Sequence, residues 1–138
     1  MALKYSRQRQ MIKDFLMTRK DHPTADVVYM NVRQEYPNIS LGTVYRNLGL
    51  LEENGQLMRI PMDNGSDRFD PNASPHYHFL CRKCGCLQDV PMTALDSLNQ
   101  LAQAHLGGVV ESHTLIFKGL CESCKSSSLT GSASKNAG

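Results

Sequence analysis

The sequence has no apolar run approaching the roughly 20 residues needed to span a membrane. Its opening residues, MALKYSRQRQ, contain no apolar stretch of the kind a secretory signal carries. Both absences predict a cytosolic chain, where cysteines stay reduced. An even cysteine count is also missing. There are five cysteines, and four of them stand in two C-x-x-C pairs, which argues for metal rather than a disulfide framework. Length is short as well: 138 residues make one domain or two very small ones. No internal repeat occurs beyond the two C-x-x-C pairs. A strong net charge is absent, at +2 overall, but the charge is unevenly spread. Residues 1–20 hold six Lys/Arg (Lys4, Arg7, Arg9, Lys13, Arg19, Lys20) against Asp14 alone, or +5, while residues 63–138 hold six basic and seven acidic residues, or −1. A positive N-terminal segment suits an anionic partner such as a phosphate backbone, although a solvated basic helix face would read the same way.

What is present begins with three helical patterns. Over residues 7–19, Met11, Ile12, Phe15 and Leu16 share one face. His22-Pro23 ends that helix, because proline disfavours helix in the residue before it. Thr24 can cap the next, in which Ala25, Val28, Tyr29, Val32 and Tyr36 follow at helical spacing. The third starts at Ser40, with Ile39 and Val44 placed as a hydrophobic staple. Val44, Leu48 and Leu51 form its apolar stripe, and Gly55 is its stop. Its other face carries Gly42, Thr43, Tyr45, Arg46 and Gly49, small or hydrogen-bonding residues that permit close approach to a surface. Residues 56–62 alternate as a strand, Asn64-Gly65 predicts a tight hairpin turn, and Arg68, Phe69 and Asp70 return. Three helices followed by a two-stranded hairpin is the winged helix-turn-helix arrangement.

Residues 71–75, PNASP, are expected to be a hinge. A second domain is expected over 76–125, and residues 126–138, rich in Ser, Gly and Ala, are expected to lack structure. The class predicted is therefore α+β, with the winged domain over 1–70. Within the second domain, HYHFLCRKCGCLQD (76–89) reads as a hairpin. Ala94, Leu95, Leu98, Leu101, Ala102 and His105 form a helical stripe, and residues 109–119 alternate as a strand.

Two constellations carry chemistry. Cys81, Cys84, Cys121 and Cys124 supply two thiolate knuckles, and two knuckles complete a tetrahedron around structural zinc; a redox disulfide pair is the competing reading. Cys86 is left over, a spare ligand or a small packed residue. The second set is His22, Asp70, His76, His78 and Asp89. His76 and His78 are two apart, so on a strand both imidazoles face one way, and Asp89 falls opposite His78 if the hairpin pairs across its bend. Mixed imidazole and carboxylate ligands suit iron, manganese or zinc. Such a set would tie the helical domain to the sheet domain, so metal would favour the orientation in which the ligands converge. His113 reads as a packed histidine, and His105 as a charge partner of a helix C-terminus. A zinc hydrolase is disfavoured because no general base stands beside an open zinc; a structural zinc module that binds another protein is a further alternative.

HPTADVVY (22–29), SLGTVYRNL (40–48), DRFD (67–70), HYHFLCRKCG (76–85) and CESC (121–124) together resemble the ferric uptake regulator (Fur) superfamily, in order and spacing over about residues 4–125. The resemblance implies a homodimer of cytoplasmic, metal-loaded repressors, each with a winged-helix DNA-binding domain and an α/β dimerisation domain. Within the superfamily the chain is most similar to the peroxide-sensing branch. That branch holds a regulatory metal on three His and two Asp, here His22, Asp70, His76, His78 and Asp89. Iron-sensing members often have Glu at the position of Asp89. The extra metal site of iron and zinc sensors falls here on Pro75 and Tyr77, which are poor ligands. By the same resemblance, Fe(II) would react with peroxide, oxidise His22 or His76 and release DNA, whereas Mn(II) would bind and react poorly. Sensing of iron, manganese or zinc status with the same ligands is the alternative. Tyr45 and Arg46 would read the major groove of a palindromic operator, with Ser40 and Thr43 near phosphate, Lys4 entering the minor groove and Arg9 close by. Two departures stand out: the family usually has another short helix where only Met1 to Leu3 precede Lys4, and Cys86 replaces a residue that is commonly basic.

Overall fold

Ser6, Thr24 and Ser40 each place a side-chain oxygen on a backbone N–H three residues on, and each starts a helix. Those N–H groups would otherwise lack an intrahelical acceptor. The helices that follow are α1 (Arg7–Met17), α2 (Ala25–Val32) and α3 (Leu41–Glu53). The computed structural model describes residues 4–63 and 65–130. It divides the chain into two units, Met1–Ser74 and Pro75–Gly138.

In the first unit, the apolar stripes of the three helices converge. Ile12, Leu16, Ala25, Val28, Val32, Val44, Leu48 and Leu51 are all buried, joined by Ile39, Leu57 and Phe69. Ile39 and Val44 close the staple across the Ser40 cap. α3 ends as its sequence predicts. Gly55 takes φ +70°, its N–H bonds to the Glu52 carbonyl at 3.0 Å, and the Gln56 N–H bonds to the Leu51 carbonyl at 2.9 Å. That pair of bonds satisfies two end carbonyls and needs a left-handed residue between them. Strands β1 (Met58–Ile60) and β2 (Arg68–Asp70) pair antiparallel with Arg59 opposite Phe69, forming the wing. β1 is shorter than the alternation over 56–62 suggested, since Pro61 has no N–H to give the ladder. α1 stops at Met17, where Thr18 caps it, and α2 stops at Val32, although Tyr36 still packs on the core. The tight-turn expectation rests partly on Asn64, which lies outside the described residues; Gly65 has φ +84°.

The second unit is a three-stranded sheet, β3 (Tyr77–Cys81), β4 (Leu87–Val90) and β5 (Ile116–Gly119), in the order β4-β3-β5. β3 and β4 form the expected hairpin, with His78 opposite Asp89. β5 runs parallel to β3. A parallel neighbour requires a crossover, and the chain between β4 and β5 supplies it with α4 (Ser97–Gln103).

Three expectations for this unit need correction. The strand expected over 109–119 is confined to Ile116–Gly119. The contact with β3 begins at Leu115, whose carbonyl accepts the His78 N–H at 3.4 Å, while residues 109–114 pair with no strand among the described residues, and alternation without a ladder gains no strand hydrogen bonds. The stripe from Ala94 to His105 yields only a seven-residue helix with no buried residue, and Leu101 is 64% exposed. Among the described residues of the unit, its apolar face is covered only in part, with Ala94 and Leu98 half-buried. Finally, residues 126–130, expected to lack structure, continue helix α5 (Glu122–Thr130), which starts directly after Cys121. Residues 131–138 lie outside the described residues.

Candidate metal centres and DNA-reading face

The C-x-x-C turn after β3 and the start of α5 bring four sulfurs together. Within one unit, Cys81, Cys84, Cys121 and Cys124 each offer a sulfur within 4.8 Å of the others. Cys84 Sγ and Cys121 Sγ are 3.8 Å apart. A tetrahedral zinc with Zn–S bonds of about 2.3 Å separates its sulfurs by roughly 3.8 Å, so the four residues fit that ion. The parallel pairing of β5 with β3, with Cys81 beside Gly119, carries the second knuckle to the first. Gly85, at φ +80°, turns the chain after Cys84, and the Cys81 N–H bonds to the Cys86 carbonyl to close the knuckle.

Backbone N–H groups favour thiolates in both knuckles. The Cys84 N–H, with that of Cys121, lowers Cys81 to about 5. The Cys124 N–H likewise holds Cys121 below its ordinary value. Crowding then acts on their neighbours. Cys124, hydrogen-bonded to the Cys121 sulfur, is pushed up to about 12. Cys86 is also pushed up to about 12, first by its bond to Cys84 and then by burial. Four thiolates at this spacing need a cation, and a divalent ion displaces the remaining protons.

The nitrogen and oxygen donors fall in two sets, one in each unit. In the first unit, His22 Nε2 lies 3.6 Å from Asp70 Oδ2, and both side chains are almost fully buried. His22 adopts φ +52°, unusual for a residue with a bulky side chain. Arg68 holds it there: its Nε donates to the His22 carbonyl and its Nη2 to the Asp21 carbonyl. The Phe69 N–H adds a 3.0 Å bond to the Pro23 carbonyl. Asp70 is oriented by the Asn72 N–H at 2.9 Å. In the second unit, Asp89 Oδ1 is reached by His76 Nε2 at 3.2 Å and by His78 Nε2 at 3.3 Å. The two imidazoles therefore share one face, as the spacing of two requires, with ring centroids 4.5 Å apart. His78 is buried, while His76 stands just before the strand. Each set offers convergent imidazole nitrogen and carboxylate oxygen, a donor chemistry that fits iron, manganese or zinc.

His113 is not part of either set. It bonds the Tyr77 hydroxyl and Asn99 Oδ1, both at 2.7 Å, in keeping with a packed histidine.

On the first unit, Tyr45 and Arg46 project from α3 and are exposed, with Tyr45 at 44%. Ser40 and Thr43 stand at its N-terminus, where the Ser40 hydroxyl donates to Thr43 Oγ1 at 2.9 Å. Lys4 is exposed. Arg9 has intramolecular partners as well. Its Nη1 donates to Asn47 Oδ1 at 3.3 Å and its Nη2 to the Lys4 carbonyl, so it fastens the segment bearing Lys4 to α3. Asn47 is buried and also donates to the Thr43 carbonyl.

Sequence reasoning gave no role to Arg68 or Asn47. Arg68 was visible inside DRFD, but its task depends on the backbone conformation at His22, which no local pattern announces. Arg68→Ala is expected to lower Mn(II) affinity roughly 10- to 100-fold, the usual cost of losing a residue that supports a ligand, while zinc content is kept. Calorimetric titration checks this, and an unchanged affinity contradicts it.

Comparison with known proteins agrees with this geometry. The family model described as "Ferric uptake regulator family" matches residues 1–118. The peroxide-responsive repressor PerR of Staphylococcus epidermidis is 38% identical over 118 residues, covering 86% of this chain and 79% of that protein. The peroxide operon regulator of Bacillus subtilis is 38% identical over 117 residues, covering 85% and 81%. The solved structure of the Campylobacter jejuni peroxide stress regulator superposes with a TM-score of 0.68 at 30% identity, covering 85% of this chain and 88% of that one. With its winged helix, its paired donor sets and a family match over most of its length, this chain belongs to the ferric uptake regulator family.

Proposed function

We propose that the protein is a metal-dependent, DNA-binding transcriptional repressor that senses peroxide through oxidation of a histidine ligand. The observation that carries this reading is Asp89, whose one oxygen is approached by both His76 and His78, in a chain that separately gathers four cysteines. The cysteines hold structural zinc. His22 and Asp70 complete, with His76, His78 and Asp89, one regulatory site for Fe(II) or Mn(II). Fe(II) held there would activate peroxide, so that one oxygen atom passes to a histidine ring and the other leaves as water, with the two electrons that reduce the peroxide coming in net from the ring. The chain's own part is to present those rings. Arg68 fixes His22, and Asp89 orients His76 and His78. Loss of a ligand by oxidation weakens the tie between the units and releases DNA. No helix among the described residues is long and apolar enough to cross a membrane. We place the protein in the cytoplasm, where its thiolates stay reduced.

The exposed Leu95, Leu101, Leu106 and Val109 support a second copy as the partner of the second unit. A symmetric dimer presents two α3 helices to a palindromic operator. Tyr45 and Arg46 read base edges in the major groove, Ser40 and Thr43 lie near phosphate, Lys4 enters the minor groove, and Arg9 contacts DNA close by while also bonding the Lys4 carbonyl. Arg46→Ala is expected to weaken specific binding by roughly 1–3 kcal/mol, with a much smaller change for nonspecific DNA. Gel-shift titration of both DNAs checks it, and equal losses would remove Arg46 from base reading. The whole proposal is tested by operator binding of the zinc-loaded protein. Binding should appear with Mn(II) or Fe(II) and be abolished by peroxide only in the Fe(II) form.

A further inference from the structure

Tyr77 stands between His76 and His78, and strand alternation sends its ring to the face opposite theirs. It is 2% exposed. Its hydroxyl accepts the Leu95 N–H at 2.9 Å. That leaves the phenol hydrogen for His113 Nε2 at 2.7 Å. An imidazole that accepts at Nε2 carries its hydrogen on Nδ1, where Asn99 Oδ1 lies at 2.7 Å. The three bonds thus run in one direction, from Leu95 through Tyr77 and His113 to Asn99, and a neutral His113 satisfies all of them.

These bonds matter because α4 has no buried residue. Leu95 and Leu101 are 46% and 64% exposed, so apolar packing within the unit does not fix the helix. Tyr77 reaches the entrance of α4 at Leu95, the helix itself at Asn99 through His113, and the segment leading to β5 at His113. Phe117 on β5 packs edge-on against the Tyr77 ring at 6.2 Å between centroids.

We propose that Tyr77, His113 and Asn99 form a relay that couples metal occupancy at His76 and His78 to α4 and residues 109–115. The inference rests on the metal-responsive reading above. Ligation of both imidazoles fixes the two residues flanking Tyr77 and therefore the position of its hydroxyl. Hydrogen bonds of this length weaken steeply with misalignment, so Leu95 and His113 follow. By linkage, whatever orders α4 also raises metal affinity. Tyr77, His113 and Asn99 are positioning residues; none of them touches the metal.

The test uses the full-length, zinc-loaded protein, with Mn(II) as the probe. Amide hydrogen exchange over residues 95–104 and 109–119 is followed together with Mn(II) affinity. In the wild type, Mn(II) is expected to slow exchange over 95–104. Tyr77→Phe keeps the ring and removes the hydroxyl. Exchange over 95–104 should be faster before metal is added, its response to Mn(II) should disappear, and Mn(II) affinity should fall about fivefold, at the lower end of ordinary coupling. Tyr77→Phe/His113→Ala should be no worse than either single change, because members of one chain of bonds are not additive. A wild type that binds Mn(II) without any change over 95–104 overturns the relay. So does a Tyr77→Phe protein that keeps the full response, or an additive double variant. If Mn(II) fails to bind the wild type at these histidines, the metal-responsive reading falls first and the relay falls with it.

Discussion

Cys81→Ser is expected to strip the zinc and unfold the sheet of the second unit, leaving the winged helix folded. Cys81 is fully buried and sits where β3 ends, with its sulfur within 4.8 Å of the other three. The sheet is small: its strands have five, four and four residues. Among the described residues its buried apolar side chains are Tyr77, Cys81 and Leu87. A core of that size needs a staple, and zinc binding is worth on the order of 10 kcal/mol in small zinc domains. The serine hydroxyl is a poor substitute for a thiolate that backbone N–H groups hold at about 5. The zinc dependence also has a pH sign. The lowered Cys81 value means its thiolate contributes stability that is complete above the unfolded thiol value of about 8.5 and is lost as pH falls through the folded one. Zinc content and a thermal melt check the variant, with Cys86→Ser as the control that should keep its zinc. Full zinc retention in Cys81→Ser would contradict the assignment.

The second large effect is expected at His78. His78→Ala should abolish metal-dependent operator binding and leave zinc untouched. His78 is 3% exposed and paired with Asp89 both across the strands and through its ring nitrogen. On the proposed ligand set its removal deletes a ligand, so the loss of Mn(II) affinity should exceed the roughly 10- to 100-fold seen when only a supporting residue is lost. Operator binding measured with and without Mn(II), next to zinc content, separates the two sites. A variant that still responds to Mn(II) would remove His78 from the regulatory set.

The helical unit was legible because its signals are local. Ser40, Ile39, Val44 and Gly55 sit within one helix and its ends, and cap, staple and stop all form as spaced. The hairpin register that puts His78 against Asp89 was also legible, because the intervening bend fixes it. The second unit beyond β4 was not. The periodicity of 94–105 and 109–119 is real, but among the described residues of the second unit those faces are at most half-buried. α4 therefore stays short, and only Ile116–Gly119 finds a strand to pair with. The helix over 126–130 was hidden by composition, since Ser-rich sequence reads as loop unless an ordered turn precedes it. At the sites, residue types and spacing revealed donors. They did not reveal the supports, because Arg68, Asn47 and the Tyr77–His113–Asn99 chain act through contacts far apart in sequence.

The central claim is that a histidine ligand of the regulatory site is oxidised by peroxide when iron is bound. It is tested most directly by mass spectrometry of the zinc-loaded Fe(II) protein after peroxide treatment, with the Mn(II) form treated alongside. The expected result is a gain of one oxygen atom, mapped to His22 or His76, in the Fe(II) form alone and in step with loss of operator binding. An unmodified Fe(II) protein that still holds its operator after peroxide would contradict the account and leave a sensor of metal status.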